Sequence, residues 1–262
     1  MANTAAQYAL ITGASKGIGK SMALALAKRG FNLYMVSRSE QELKDLAKDV
    51  QEKYGVRAET LSADLSKIDG AKQTADWIKQ NNWPLSVLIN NAGYGIWGEY
   101  ADLNLEEQLE MCHLNMDTVV YLSHELIPVL KKADQSYIMN VASTAAYQAV
   151  PTLAVYSATK AFVLSFTRAL RFELKKTSVS VSCLCPGPAD TGFAQRAGMD
   201  ALSKMAAKFN MQPDIVAEAA INGMLKRKSE IIPGFTNRIG AYANRFLPKA
   251  FIENMISKIY RV

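Results

Sequence analysis

Tyr8-Ala-Leu-Ile-Thr-Gly-Ala-Ser-Lys-Gly-Ile-Gly19 is a short apolar run that leads directly into a turn with three glycines. After the turn, apolar residues recur at helical spacing as far as Ala27, and Gly30 is placed to end that helix. Glycines at 13, 17 and 19 permit a tight turn, and the start of a helix presents free N–H groups to an anion. The stretch therefore predicts a strand, a turn that can hold phosphate groups, and a helix.

The alternation of apolar runs and helical patterns continues along the chain. The predicted strands after the first are Asn32–Ser37, Arg57–Ser62, Ser86–Asn90, Ser136–Val141, Ser178–Cys185 and Glu230–Ile232. The predicted helices include one that a capping box at Ser39–Glu42 opens and Gly55 ends, and a long one from Asn104 to about Ile127. Strands that alternate with helices predict an α/β chain, a single-domain Rossmann-like doubly wound parallel sheet of about seven strands with helices on both faces.

The composition is that of one folded domain over residues 1–262. Of these residues 49% are hydrophobic and 21% are charged, and the length supplies a sizeable core without staples. Three cysteines (Cys112, Cys183 and Cys185) cannot build a disulfide framework, so we expect buried thiols in a reducing compartment. With no visible signal peptide and no apolar run of spanning length, the prediction is a cytoplasmic protein.

Two segments stand apart from the alternating pattern. Residues 189–226 form a polar, helical insertion between the last two strands and are predicted to act as a substrate lid. Residues 236–262 predict two short amphipathic helices with a proline break. The net charge of +6 comes entirely from residues 226–262, which hold eight basic and two acidic residues. We expect this tail to cover the substrate cleft or a partner subunit, or to touch a membrane surface or an acidic acyl carrier, and not to bind nucleic acid.

A phenol and an ammonium group lie four residues apart in Tyr156-Ser-Ala-Thr-Lys160, on one face of a predicted helix. Ser143 follows the fifth predicted strand, and Asn115 lies in the preceding helix. A carbonyl that receives a hydride also needs a proton, but a tyrosine with the ordinary pKa of about 10 is a poor partner at neutral pH. A fixed Lys160 charge favours the phenolate, and lowering that pKa to about 7 takes roughly 4 kcal/mol. The cluster predicts carbonyl–alcohol interconversion, with Ser143 orienting the substrate oxygen.

Taken in order, these motifs resemble the short-chain dehydrogenase/reductase family. The matching residues, within about residues 7–195, are Thr12-Gly-x-x-x-Gly17-Ile-Gly19, Asp64-Leu65, Asn90-Asn-Ala-Gly93, Asn115, Ser143, Tyr156, Lys160 and Pro186-Gly187. The resemblance implies Tyr156 as the general acid/base and Lys160 as its support and as a ligand of the nicotinamide ribose. It implies Ser143 as substrate-orienting and Asn115 as holding a water of a proton relay.

The same resemblance, read with the glycine turn and the end of the second strand, gives a set of cofactor-binding residues. They are Thr12, Gly13, Ser15, Lys16, Gly17, Ile18, Gly19, Ser37, Arg38, Asp64, Leu65, Asn91, Ala92, Gly93, Tyr156, Lys160, Pro186, Gly187 and Thr191.

The end of the second strand predicts which nicotinamide cofactor is preferred. It reads Val36-Ser-Arg38, and no carboxylate follows before Glu40. An acidic residue here would bind the ribose 2′-OH and repel a 2′-phosphate. Arg38 instead offers a planar fork for phosphate, and Lys16 adds a second cation. The sequence predicts NADP(H) in preference to NAD(H).

Two other functions fit part of the pattern. Gly13-Ala-Ser15-Lys-Gly17 has the G-x-S-x-G spacing of a serine hydrolase, but the only histidines, His113 and His124, fall inside one predicted helix. A non-catalytic NADP-binding regulatory protein would keep the glycine turn and has no need for the Tyr156 cluster. Scarce and badly spaced Cys and His residues predict no metal site.

Apolar residues surround the expected mouth of the cleft. They are the loop Gly93–Tyr100 with Tyr147, Val150, Phe193 and Met199. Such a lining suits a hydrophobic ketone, aldehyde or ketoacyl substrate better than a small charged one. Packing of the loop or a subunit contact explains Trp97 and Tyr100 equally well. We expect a homodimer or homotetramer that works in the direction of reduction.

Overall fold

The computed structural model describes residues 7–82, 84–198, 210–244 and 246–260 of the chain. It contains seven strands, Tyr8–Thr12 (β1), Asn32–Ser37 (β2), Ala58–Ser62 (β3), Leu85–Asn90 (β4), Ser136–Val141 (β5), Val179–Leu184 (β6) and Glu230–Ile231 (β7). All pair in parallel, in the order β3-β2-β1-β4-β5-β6-β7. The predicted doubly wound sheet is confirmed, and each strand end lies within one residue of its prediction.

Helices cover both faces of this sheet. They are Gly17–Ala27 (α1), Glu40–Tyr54 (α2), Ile68–Asn81 (α3), Leu105–Cys112 (α4), Thr118–Leu130 (α5), Ala154–Glu173 (α6), Phe193–Arg196 (α7), Pro213–Leu225 (α8), Phe235–Ala243 (α9) and Lys249–Tyr260 (α10). Short 3₁₀ turns span Tyr100–Asp102 and Thr144–Tyr147, and a π turn spans His113–Asp117. None of the helices so described is long and apolar enough to cross a membrane.

The alternation of side chains along β1 explains the two-layer core. Ala9 and Ile11 pack with α1, α2 and α8, whereas Tyr8 and Leu10 pack with α3, α5 and α6. Successive residues of a strand point to opposite faces, so an unbroken apolar strand needs cover on both sides. The strand order reverses between β1 and β4, which opens a crevice at their carboxyl ends.

The predicted lid insertion is only partly separate from this framework. Helix α8, within the predicted range 189–226, packs against α1 and buries Ala217, Ala220 and Ile221 in the core. Helix α8 is therefore part of the core, and residues 189–212 stay a predicted lid, of which 199–209 lie outside the described residues.

The predicted long helix from Asn104 is interrupted. Asn104 does cap α4, since its side chain accepts from the Glu107 N–H at 3.0 Å. The π turn His113–Asp117 then separates α4 from α5, which continues to Leu130. A π turn inserts one residue into the helical ladder, and apolar spacing alone does not reveal it.

The capping box predicted at Ser39–Glu42 is wrong. Ser39 stands at the N-cap of α2, but its side chain accepts no hydrogen bond from the helix. Glu42 instead forms an ion pair with Lys16 at 2.8 Å. The predicted end of α2 is confirmed, with Gly55 in the left-handed conformation.

The Thr12 hydroxyl joins the ends of β1 and β4 across the crevice. Its Oγ1 accepts from the N–H groups of Asn91 and Ala92 at 2.9 and 3.0 Å. Asn91 Nδ2 donates back to the carbonyl oxygens of Thr12 and Gly13 at 2.9 and 3.2 Å. These four bonds, which we call the Thr12 clamp, fix the glycine turn against the loop after β4.

Replacing Thr12 by valine tests this clamp. Thr12→Val keeps the shape but leaves two N–H groups without their acceptor, so we expect the free energy of unfolding to fall by about 2 kcal/mol. Thr12→Ser keeps the hydroxyl and is expected to lose only about 1 kcal/mol for the missing methyl group. Urea denaturation measures both, and equal losses would show that the hydroxyl contributes nothing.

Candidate active site

The glycine turn forms an open backbone cradle at the carboxyl edge of the sheet. Gly13 and Gly17 have φ values of +65° and +53°, which favour glycine. A Cβ on Gly13 would meet Ala92 Cα at 3.0 Å, and one on Gly19 would lie 2.2 Å from the Gly13 oxygen. No side chain caps the N-terminus of α1 in the described structure. The Gly13 and Ala14 N–H groups donate to the Val36 carbonyl at 2.7 and 3.3 Å, whereas the uncapped start of α1 offers the kind of N–H groups that bind a pyrophosphate.

Tyr156 and Lys160 lie on one face of α6 and are buried, with 8% and 5% of their surfaces exposed. Lys160 Nζ is 5.7 Å from the centre of the Tyr156 ring and donates to the Val141 carbonyl, at the end of β5, at 3.0 Å. A Cβ on Gly93 would meet Lys160 Nζ at 3.2 Å. Helix α6 thus brings the predicted acid–base pair to the loop after β4, which passes close because it has a glycine there.

Ser143 is placed by the end of β5 and the following turn. It lies two residues past Val141 and begins the 3₁₀ turn that packs along α6. Its Oγ accepts from the Ala145 N–H at 3.1 Å. That contact uses the oxygen as an acceptor and leaves the hydroxyl hydrogen for another partner.

Asn115 is buried in the π turn between α4 and α5. Its Nδ2 donates to the Tyr94 carbonyl and to Thr159 Oγ1, both at 3.0 Å. Its Oδ1 accepts from the Tyr94 N–H at 3.2 Å. The Asn115 side chain therefore holds the loop after β4 against α6, and the predicted water relay remains a prediction.

Burial lowers the pKa of Lys160 to about 8. No described carboxylate forms an ion pair with it, and its recorded protein acceptor is the Val141 carbonyl. At pH 7 the ammonium group is still mostly protonated, and it has N–H groups in reserve for a ligand. The fold thus places a desolvated positive charge directly beneath Tyr156.

The ends of β2 and β3 form the outer part of the crevice. Ser37 is buried, whereas Arg38 is exposed. Asp64 accepts from the Ser66 N–H and hydroxyl at 3.1 and 2.8 Å. Partial burial raises the pKa of Asp64, but these bonds and the charges of Arg38 and Lys67 outweigh it, so that the pKa lies below its usual value. Leu65 is buried beside it.

Lys16 is not the free cation that the sequence predicts. Glu42 lies 2.8 Å from its Nζ, and this hydrogen bond holds the pKa of Glu42 below its ordinary value. Ser15 and Ser39 also interact with the Glu42 carboxylate. Glu42 is a residue of this region that the sequence reading missed, because it was assigned to a capping box.

Arg196 is a second missed residue. Its guanidinium lies 4.3 Å from the centre of the Tyr94 ring. Partial burial and repulsion from Arg38 lower the pKa of Arg196, while Tyr94 and Asp64 oppose the shift. Neither arginine forms an ion pair within the described residues. Two guanidinium groups and the Asp64 carboxylate thus interact at one edge of the crevice.

The segment after β6 closes over the crevice. The Pro186 carbonyl accepts from the Thr144 N–H at 2.9 Å, and a Cβ on Gly187 would meet Asn237 of α9 at 2.4 Å. A Cβ on Gly17 would meet Thr191 at 2.9 Å. The Phe193 ring lies 5.4 Å from that of Tyr156. The predicted residues of this segment therefore meet both the glycine turn and the acid–base pair.

The apolar lining around Tyr156 is partly the predicted one. Val150 is buried with Tyr156, and Trp97 and Phe193 pack against them. Tyr147 lies in another cluster and donates to Glu230 at 2.8 Å, Tyr100 is largely exposed, and Met199 lies outside the described residues. The cluster also contains Met111 and Leu153, which the sequence reading missed, and Ile252 and Ile256 of the tail. The last two come from α10, which covers this side of the site.

The geometry gives no support to a hydrolase that uses Ser15. His113 pairs with Asp117 at 2.6 Å within the π turn, and His124 lies beside Glu125 with 84% of its side chain exposed. Neither imidazole is positioned as a base for Ser15.

The chain matches known proteins over most of its length. The family model for short chain dehydrogenases matches residues 7–201. A very-long-chain 3-oxoacyl-CoA reductase of Laccaria bicolor is 34% identical over 179 residues, which are 68% of this chain and 53% of that protein. A putative ketoacyl reductase of Streptomyces coelicolor is 32% identical over 196 residues, 74% of this chain and 75% of that one. A short-chain dehydrogenase from Sphingobium yanoikuyae, solved in complex with NADPH, has a TM-score of 0.83 at 27% identity, covering 96% and 95% of the two chains.

The parallel sheet and these matches are those of NAD(P)-dependent oxidoreductases that act on CH–OH groups. The chain belongs to the short-chain dehydrogenase family. The match spans about half of the length of the Laccaria relative.

Because the charge of Lys160 is buried, we expect that its removal raises the free energy of unfolding. The pKa of Lys160 is lowered in the folded state, so folding is penalised below pH 8, and the penalty fades between pH 8 and the unfolded value near 10.5. Below pH 8 this penalty is about 3 kcal/mol. The variant also loses the hydrogen bond to the Val141 carbonyl, which costs about 1 kcal/mol and offsets part of the gain. We expect Lys160→Met to raise the free energy of unfolding by about 2 kcal/mol at pH 7 and to leave it nearly unchanged at pH 10.

Urea denaturation of both proteins at the two pH values measures this difference. Lys20→Met, at an exposed lysine of α1, is the matched control and should change neither value. A Lys160→Met variant that is less stable than the parent at pH 7 would contradict an uncompensated buried charge.

Proposed function

We propose that the protein is an NADP(H)-dependent ketoreductase in which Tyr156 is the general acid/base. The observation that carries this proposal is the buried Tyr156–Lys160 pair, which faces the loop after β4 beside the glycine cradle. NADPH, when bound, supplies the hydride to the carbonyl carbon. The residues of the chain then have to orient the carbonyl oxygen, deliver a proton to it and keep water out.

Tyr156 delivers the proton from its hydroxyl to the developing alkoxide, which leaves a phenolate. The Lys160 ammonium stabilises that phenolate electrostatically, and burial strengthens the interaction. Ser143 donates its remaining hydroxyl hydrogen to the same substrate oxygen. Phe193 and α10 exclude water from Tyr156. Asn115 positions the Tyr94 loop and, by the family resemblance, holds a water through which Tyr156 regains its proton.

The residues present fit a dinucleotide. The glycine turn from Gly13 to Gly19 would hold the pyrophosphate, Asp64 and Leu65 the adenine, and Lys160 the nicotinamide ribose. The loop Asn91–Gly93 and the segment Pro186–Thr191 would line the two sides. Asn91 and Thr12 contribute mainly through the Thr12 clamp, because their polar side-chain atoms already bond to one another's backbone.

The charge distribution supports a preference for NADP(H). A 2′-phosphate adds negative charge beside Arg38, where the charge of Arg196 also acts and Asp64 offsets part of both. Lys16 contributes less than the sequence predicts, because Glu42 neutralises it. The preference therefore depends on Arg38 and Arg196 more than on the glycine turn.

The lining of the site supports a hydrophobic ketoacyl substrate. Val150, Leu153 and Phe193 surround Tyr156 with apolar surface. The indole N–H of Trp97 is buried without an acceptor among the described residues, and it would suit a second carbonyl such as that of a thioester. The names of the Laccaria and Streptomyces relatives agree with this class. We also propose that the enzyme works in the direction of reduction and is a homo-oligomer. The three free cysteines support a cytoplasmic location.

Arg38→Asp tests the cofactor preference. Loss of a charge-assisted bond and repulsion by the new carboxylate are expected to weaken NADPH binding by about 30-fold or more and to improve NADH binding. Dissociation constants from cofactor fluorescence measure both changes. Arg57→Asp, an exposed arginine at the opposite edge of the sheet, is the control and should leave both constants unchanged. An unchanged NADPH constant in Arg38→Asp would remove the assignment.

Tyr156→Phe tests the catalytic proposal. The variant keeps the ring that packs on Phe193 but lacks the proton, so turnover is expected to fall by roughly 10²–10⁴-fold with NADPH binding preserved. The assay follows NADPH absorbance with 3-oxoacyl thioesters, ketones and aldehydes, and Tyr137→Phe on β5 is the control. An active Tyr156→Phe enzyme would refute the role of Tyr156. A parent protein that binds NADPH and turns over none of these substrates would favour the regulatory alternative.

A further inference from the structure

The two C-terminal helices expose apolar side chains along one stripe each. On α9, Phe235, Ile239 and Tyr242 recur at spacings of four and three residues, and Phe246 continues that spacing past the helix end. On α10, Phe251 and Met255 are exposed one turn apart. We call these six residues the tail face. Exposed apolar residues at helical spacing mark an interaction surface more often than chance scatter does.

The tail face is separate from the side by which these helices pack. Helix α9 is held through buried Ala241, and α10 through buried Ile252 and Ile256. Each helix therefore satisfies its contact with the body of the protein and still leaves large side chains in water. Phe235 and Phe246 are 72% and 85% exposed.

The charge around the tail face is one-sided. After β7, the segment that contains the tail face has five basic residues, Arg238, Arg245, Lys249, Lys258 and Arg261, and one acidic residue, Glu253. Arg238, Lys249 and Lys258 are exposed on the same two helices, and the acidic residue of that stretch is Glu253. A partner that binds both the apolar side chains and the basic residues must have an apolar interior and an anionic surface.

We propose that the tail face binds peripherally to an anionic lipid bilayer. Amphipathic helices with aromatic and aliphatic residues on one side and lysine or arginine beside them lie in the interface between headgroups and acyl chains. A nucleic acid would pair with the charge and leave the aromatic rings in water. Because no described helix is long and apolar enough to span a membrane, the attachment is at the surface.

The location of α10 connects this surface with the site. Ile252 and Ile256 share a cluster with Tyr156, so the helix that covers the site is also the helix that meets the lipid. If the proposed function holds, attachment places α10, which covers the site, at the lipid bilayer in which a hydrophobic ketone dissolves. The lipid binding itself does not depend on that function.

Co-sedimentation with vesicles tests the proposal on the full-length protein. We expect binding to phosphatidylcholine vesicles that contain phosphatidylglycerol, at least about tenfold weaker binding to phosphatidylcholine alone, and a further loss in high salt. A Phe246→Ser, Phe251→Ser double variant should bind at least about tenfold more weakly. Phe172→Ser on α6 removes a phenylalanine of similar exposure, 76%, and should change nothing.

Thermal unfolding and NADPH binding of each variant separate a folding defect or a failure of the proposed function from a loss of lipid binding. Four outcomes would overturn the proposal. The intact protein does not sediment with anionic vesicles, the Phe172→Ser variant loses as much binding as the double variant, or the double variant abolishes self-association in light scattering while no vesicle binds. The last result would assign the tail face to a second copy of the chain. Capture of an acidic acyl carrier protein without any vesicle binding would likewise refute it.

Discussion

The site depends on the hydroxyl group of Thr12, which lies where the strand order reverses between β1 and β4. The sheet pairs β1 with β4 as far as Ile11 and Ile89, and beyond that point the chain leaves towards opposite faces. Thr12 joins the glycine turn to the loop after β4, because its buried Oγ1 accepts two N–H groups from that loop. With the loop fixed there, Gly93 passes close to Lys160 and Asn115. The nucleotide cradle and the acid–base pair are thereby built on one rigid edge.

Positive charge predominates at that edge, and this suits the negative charge of a dinucleotide. Lys160 is held by a carbonyl dipole and no described carboxylate, so burial lowers its pKa. A carboxylate beside it would restore the pKa but would also cancel the field that acts on Tyr156. At the outer end Arg38 and Arg196 repel each other and Asp64 offsets part of their charge, whereas Lys16 is paired with Glu42. An anionic ligand would relieve both ends at once, which is how a binding site differs from a structural ion-pair network.

Features that depend on a local residue pattern, such as strands and residues at fixed spacing, could be predicted from the sequence. The strands were found to within a residue because buried parallel strands are unbroken apolar runs, and Tyr156, Lys160 and Ser143 follow from spacing and from the end of β5. What it could not predict depends on distant partners. The π turn at Asn115 leaves no periodic signal in the sequence. Glu42 has the spacing of a capping residue, and only the folded structure shows that it pairs with Lys16. Arg196 is remote from Arg38 in the chain, and only the fold of the segment after β6 brings them to one edge.

Helix α10 shows why the site and the surface of the molecule have to be considered together. One side of the helix buries Ile252 and Ile256 against Tyr156, and the other presents Phe251 and Met255 to solvent. Since i, i+1 and i+4 residues of one helix cannot move independently, any partner that shifts the outer side must also shift the inner one. The Tyr156 cluster owes part of its burial to that inner side. Occupancy of the tail face therefore bears on access of substrate and water to Tyr156, although the two surfaces share no residue.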